Sequence, residues 1–102
     1  MSISLDNAAQ CLCVSGDLTL DLVPDYLEQS GPLFNELAAL RIDLSAVKRS
    51  DSAGLALLIR WMRDARASDK KIIFEQMPAQ MLAMAEASGL DTILPLSGKP
   101  AQ

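Results

Sequence analysis

The sequence concentrates its polar chemistry in one run, IDLSAVKRSDSAGL, residues 42–55. Asp43 and Asp51 flank a short segment, the hydroxyl of Ser52 follows Asp51, and Gly54 stands two positions further on. Either Asp51 or Ser52 is a fit N-cap, because both side chains accept hydrogen bonds from the orphan N–H groups of a helix start. A hydroxyl there is also placed for docking or phosphorylation, since the free N–H groups and the positive dipole end favour an anion. Gly54 in a first helical turn costs about 0.8–1 kcal/mol relative to Ala, which points to a close approach of other chain to its backbone. On a helical wheel Ser52, Ala53 and Ala56 share a side with Arg60 and Arg63, away from an apolar stripe of Leu55, Leu58, Ile59, Met62 and Ala65. That side is a flat patch of small residues with cations beyond it. An ordinary cap and an ordinary surface account for these residues equally well, so both readings stand at this point.

Other chemistry is excluded by composition. The 102 residues contain no histidine, which removes Ser-His-Asp and Cys-His triads, HExxH zinc chemistry and histidine phosphorelay. No Gly-rich phosphate loop is present, and Asp43 with Asp51 supplies too few ligands for a metal. No catalytic residue, metal or cofactor is expected. Cys11 and Cys13 sit at i and i+2, on one face of a strand. That spacing is poor for a mutual disulfide and too sparse for structural zinc, so the two read as small apolar fillers. Unpaired thiols fit a reducing, cytoplasmic location. Nine Lys+Arg against thirteen Asp+Glu give a net charge of −4, the wrong sign for a general nucleic-acid binder. The pairs Lys48-Arg49 and Lys70-Lys71 fall short of the roughly 4–8 cations of a polybasic membrane anchor. The longest apolar run, GLALLI, stops at Arg60, and MSISLDNAAQ lacks the basic and apolar regions of a signal peptide. Neither a leader nor a membrane span is expected.

The remaining pattern describes what must position that run. Half of the residues are hydrophobic, enough for a single domain, drawn at residues 1–97 with a flexible tail over 98–102. Ile3 and Leu5 alternate with polar neighbours in a first strand, and CLCVS (11–15) forms a second that ends at Gly16-Asp17. Asp21 is a plausible N-cap for a helix with Pro24 in its first turn, interrupted or kinked at Ser30-Gly31-Pro32. Leu40, Ile42 and Leu44 predict a half-buried strand ending at Leu44-Ser45, followed by a loop through Ser50. The strongest helix spans 52–67. KIIFEQ (71–76) is a strand, and Pro78 opens a helix with Met81, Leu82 and Ala85 inward, closed by Gly89. The four methionines Met62, Met77, Met81 and Met84 read as core filling. Leu57 and Trp61 lie on a flank of the 52–67 helix, either packed on a neighbouring helix or exposed as an aromatic anchor. The order ββαβαβα predicts an α/β fold, a four-stranded, mostly parallel sheet with helices mainly on one face.

Asp51-Ser52-Ala53-Gly54-Leu55, preceded by IDLS and followed by an apolar helix, resembles the signature of STAS domains. The resemblance continues through a GDL turn after the second strand and a late ASGL turn, and so spans nearly the whole chain. The family includes anti-sigma-factor antagonists and the cytoplasmic domains of sulfate transporters. The compact form with SDSAGLALLIRWMRDAR is most similar to the STAS subunit of a bacterial phospholipid ABC transporter. The resemblance implies a binding module and not an enzyme, with Asp51, Ser52, Ala53 and Gly54 as the interaction edge. The implied partner is the transporter's ATPase subunit, with association with the inner membrane only through that partner. The alternative partner is an anti-sigma serine kinase that switches the protein by phosphorylating Ser52. Ala53 stands where many antagonists carry a second Ser or Thr.

Overall fold

A computed structural model describes residues 2–6 and 11–96 of the chain. Its elements run β1 (Ser2–Asp6), β2 (Cys11–Leu18), α1 (Val23–Glu36), β3 (Ala39–Ser50), α2 (Ser52–Ala67), β4 (Lys71–Glu75), α3 (Ala79–Ala87) and a short 3-10 turn at Leu90–Thr92. The proposed tail, 98–102, lies outside the described residues. The strands form one sheet in the order β1-β2-β3-β4. β1 pairs antiparallel to β2, whereas β2–β3 and β3–β4 are parallel, each joined through a helix. This is the α/β, mostly parallel arrangement that the alternation of elements predicts.

Side-chain parity decides which face is covered. Leu12, Val14, Ile42, Leu44 and Phe74 are buried and form one core with Leu55, Leu58, Trp61, Met81 and Ala85 from α2 and α3. Their alternate neighbours Cys11, Cys13, Arg41, Asp43 and Glu75 occupy the other face, where Arg41 pairs with Glu75 at 3.0 Å. Strands buried on both faces read as continuous apolar runs; here the alternation along β3 reports a single helical layer.

Four sequence expectations need correction. Gly16-Asp17 does not end β2, which continues to Leu18 with Gly16 at φ +95°. Nor does β3 stop at Leu44-Ser45: Ala46, Val47, Arg49 and Ser50 pair with Ser15, Gly16, Asp17 and Leu18. Register irregularities at Cys13/Ser15 and Gly16/Asp17 break the two-residue period, so Leu44, Val47 and Ser50 are buried at intervals of three. The alternation that marks a strand is lost where the strand continues. Finally, α1 runs unbroken through Pro32, and its N-cap is Leu22 while Asp21 accepts a hydrogen bond from Thr19.

Proline inside a helix costs about 3 kcal/mol, and packing offsets it here. Tyr26, Ser30, Phe34 and Leu37 recur at helical spacing and turn inward, while Pro32 is on the exposed side. The buried Ser30 hydroxyl donates to the Leu27 carbonyl and accepts from the Trp61 indole N–H at 3.0 Å. Trp61 is 1% exposed and lies 5.8 Å from the Phe34 ring centroid. It is therefore the bolt between α1 and α2 and not an exposed anchor. Met62 and Met81 are buried, with Met77 and Met84 packed against the core. Past α3, Gly89 adopts the left-handed φ of +74° expected of a helix-closing glycine.

The two cysteines occupy different environments. Cys11 is buried and Cys13 half-buried, both unpaired. Burial first, then the adjacent Cys13, Asp43 and Glu75, pushes the Cys11 thiol up to about 11, with Arg41 opposing. Because the thiolate is the nucleophile, Cys11 is expected to alkylate roughly tenfold or more slowly than a free thiol at pH 8. Timed iodoacetamide labelling of the Cys13→Ser variant, read by mass spectrometry, checks this.

Candidate functional site

Asp51 builds the site. It is the N-cap of α2, with one carboxylate oxygen accepting from Ala53 N–H at 2.9 Å and Gly54 N–H at 3.2 Å. The other oxygen accepts from the Leu20 backbone N–H at 3.2 Å. One side chain thus holds the start of α2 against the turn between β2 and α1. The Asp51 N–H completes the joint by donating to the Leu18 carbonyl at 3.2 Å.

Gly54 explains why the joint can be this tight. It is buried against the protein's own chain. A Cβ at this position would lie 2.6 Å from the Leu18 carbonyl oxygen, 3.0 Å from Leu18 Cβ, and in collision with Ser50 Oγ. The close approach foreseen from the sequence is therefore made by the protein's own β2 and β3.

With Asp51 and Gly54 occupied internally, the exposed part of the motif is Ser52 and Ala56, with Ala53 half-exposed. Ser52 opens α2 next to Asp51, whose carboxylate accepts from the backbone N–H of Leu20, a residue 72% exposed. Leu20 is the site residue that sequence reasoning missed. The available signal was an apolar residue set between Thr19 and Asp21 in a turn, where no periodicity recruits it to the core. Further along α2, Arg60 pairs with Asp64 at 3.3 Å and Arg63 is exposed. Arg60 also lines a groove of about 300 Å³ between α1 and α2, beside Leu27, Phe34 and Lys70. Ser52 and Arg63 are eleven residues apart, about 17 Å along the axis, so the arginines flank the small-residue patch and do not meet the hydroxyl.

Chemically the site presents a hydroxyl, a small apolar surface and one exposed leucine. Both Asp51 oxygens face backbone N–H groups, so the carboxylate orients the loop and does not address Ser52 as a base. Asp43 lies on the opposite sheet face, held at 2.8 Å by the Ser45 N–H; it does not converge with Asp51. Lys70 donates to the Phe34 carbonyl and Arg49 pairs with Asp17, which ties one member of each basic pair into the fold. Among the described residues no helix is long and apolar enough to cross a membrane.

A four-stranded sheet with one antiparallel edge, a single helical layer and a capped Asp-Ser-Ala-Gly helix start together define a STAS domain. The chain belongs to the MlaB STAS-domain family, whose model matches residues 1–95. A solved structure from Thermotoga maritima, described as a candidate anti-sigma factor antagonist, shares the fold at a TM-score of 0.74. The identity is 12%, over 93% of this chain and 83% of that one. No curated protein sequence matches the chain. STAS domains are regulatory and accessory modules that act through protein–protein contacts.

Gly54→Ala is expected to lower stability by about 1–3 kcal/mol through overpacking against Leu18 and Ser50, although Ala is the better helix former. Asp51→Ala should cost about 1–2 kcal/mol through loss of the cap, with Asp51→Asn retaining most of it. Urea unfolding followed by far-ultraviolet circular dichroism measures all three; an unchanged Gly54→Ala midpoint would show that α2 is not held against β2.

Proposed function

We propose that the protein is an accessory subunit that binds and regulates the ATPase of a phospholipid ABC transporter maintaining outer-membrane lipid asymmetry. Membership of the MlaB family supports the partner class. The observation that carries the reading is the small-residue surface of Ser52, Ala53 and Ala56 at a helix start capped by Asp51, which also holds the turn bearing the exposed Leu20. Small side chains let a partner helix or loop approach closely, and Leu20 offers an apolar contact. Arg63 and Arg60 flank the patch as cations for acidic groups on the partner. On this reading the protein is cytoplasmic and reaches the inner membrane only through the transporter.

The second reading, an anti-sigma-factor antagonist that binds a serine kinase, is favoured by the exposure of the Ser52 hydroxyl and by the likeness of fold to the Thermotoga protein. Phosphorylation would add about −1.5 to −2 charges next to the Asp51 carboxylate, which already occupies the donors of the helix start. The phosphate would then oppose docking by repulsion and desolvation.

Affinity capture from the native cell with tagged wild type and Ser52→Arg separates the two. Recovery of an ABC ATPase with its permease, lost in Ser52→Arg, is the expected result. Recovery of a serine kinase instead would make the antagonist reading correct. Against the purified ATPase, Ser52→Glu should bind at least tenfold more weakly than wild type and Ser52→Ala within a few-fold. Equal affinity of Ser52→Glu and wild type would remove Ser52 from the interface.

A further inference from the structure

The sheet face turned away from the helices carries a second constellation, unrelated to the docking patch. The register sets Cys13 beside Asp43, and Asp43 beside Glu75, across three strands. Cys11 lies on the same face two residues before Cys13. The thiol sulfurs of Cys11 and Cys13 and a carboxylate oxygen of Asp43 all lie within 4.8 Å of one another. We propose that Cys11, Cys13 and Asp43 form a binding site for one thiophilic divalent cation of the zinc class.

The geometry favours chelation over a disulfide. Residues i and i+2 of a strand place their Cα atoms about 6.6 Å apart, the long end of the range disulfides span, and their near-parallel Cα–Cβ bonds keep the Cβ atoms beyond the roughly 3.5–4.5 Å that an S–S bond requires. The two sulfurs can nonetheless turn toward a shared ion. With Zn–S about 2.3 Å and Zn–O about 2.0–2.2 Å, the donors of a tetrahedral site stand roughly 3.5–3.8 Å apart. Side-chain rotation of about 1 Å therefore closes the triad without moving the strands. Asp43 is already oriented for it, because the Ser45 N–H holds one carboxylate oxygen at 2.8 Å. Hydrogen bonds of this kind fix the direction of metal-ligating carboxylates.

The donor set selects the ion. Two soft sulfurs and one carboxylate suit zinc and its analogues over magnesium or calcium, which take all-oxygen sets. A solvent molecule supplies the fourth ligand, since Cys13 and Asp43 are only half-buried. Glu75 lies beyond Asp43 in the same row, engaged with Arg41 through both oxygens at 3.2 and 3.0 Å. It is thus a neighbour of the triad and not one of its ligands. The bound ion would link β2 to β3, a connection made at the level of Cys13 and Asp43. Along the sequence only the two cysteines stand together, because Asp43 comes from a different strand, thirty residues after Cys13.

The test uses the full chain, reduced and freed of metal, titrated with cobalt(II) as a spectroscopic substitute for zinc. A thiolate-to-cobalt charge-transfer band saturating at one ion per chain, and abolished by added zinc, is the expected result. Cys13→Ser should abolish the band. Asp43→Asn should weaken binding at least tenfold while circular dichroism shows the fold retained. Because Cys11 is buried, Cys13→Ser and Asp43→Asn carry the test without it. No band, one ion per two chains, or unchanged affinity in Asp43→Asn would each overturn the site.

Discussion

The Leu18 carbonyl is the point on which the architecture turns. It accepts the Asp51 N–H and stands where a side chain at position 54 would have to go. A glycine there lets the first turn of α2 rest on the end of β2. The same closeness brings the Asp51 carboxylate within reach of Leu20. One missing methyl group thus sets three things together: where α2 begins, how the β2–α1 turn is held, and which residues remain on the surface. Gly54 gives up about 0.8–1 kcal/mol of helix propensity to make that contact. The cost is local, whereas the bond from the Leu20 N–H to the Asp51 carboxylate depends on it.

From that joint the two faces of the sheet diverge in character. The covered face is closed by α1, α2 and α3, with Trp61 hydrogen-bonded to Ser30 in the seam between α1 and α2. A buried indole N–H left unpaired would cost about 1–3 kcal/mol, so the Ser30 hydroxyl is as much a part of the core as Phe34. This one contact also accounts for the continuity of α1 through Pro32, because the inward residues on either side of the proline are both fixed. The open face instead relies on polar pairing across strands: Arg41 with Glu75, and Arg49 with Asp17 at the far end of β3. Such exposed pairs contribute at most about 1 kcal/mol each. The hydrophobic layer therefore holds the fold, and the open face is left available for other chemistry.

How much of this the sequence revealed follows from where regular periods hold. Leu40, Ile42 and Leu44 alternate cleanly, and α2 spans 52–67 as its apolar spacing predicts. The second half of β3 was hidden because bulged pairing turns the period from two into three at Val47 and Ser50. Pro32 reads as an interruption in sequence because local propensity cannot weigh a distant indole. Asp51 and Ser52 are equally good caps by type, and what distinguishes them is the extended backbone of Asp51 with its bonds to the Ala53 and Gly54 N–H groups. Leu20 itself escaped notice for a related reason: exposure of an apolar residue is a property of the assembled surface. The Cys11–Cys13–Asp43 grouping is likewise a matter of register, which no window along the chain contains.

The division of labour between Asp51 and Ser52 follows from geometry more than from residue type. Adjacent carboxylate and hydroxyl groups resemble a base and a nucleophile when written in sequence. In the fold the carboxylate spends both oxygens on backbone N–H groups from two segments, and its charge already complements the helix dipole. What remains at Ser52 is an unactivated hydroxyl on a rigid, small-residue surface. Rigidity matters for such a patch, because a surface already in its bound shape loses less freedom on association. It also gives charge added at this position a definite sign of effect. A helix start with free donors would welcome a phosphate, but one already capped by Asp51 would set the phosphate against a fixed carboxylate, so on the proposed docking reading a modification there would act against docking.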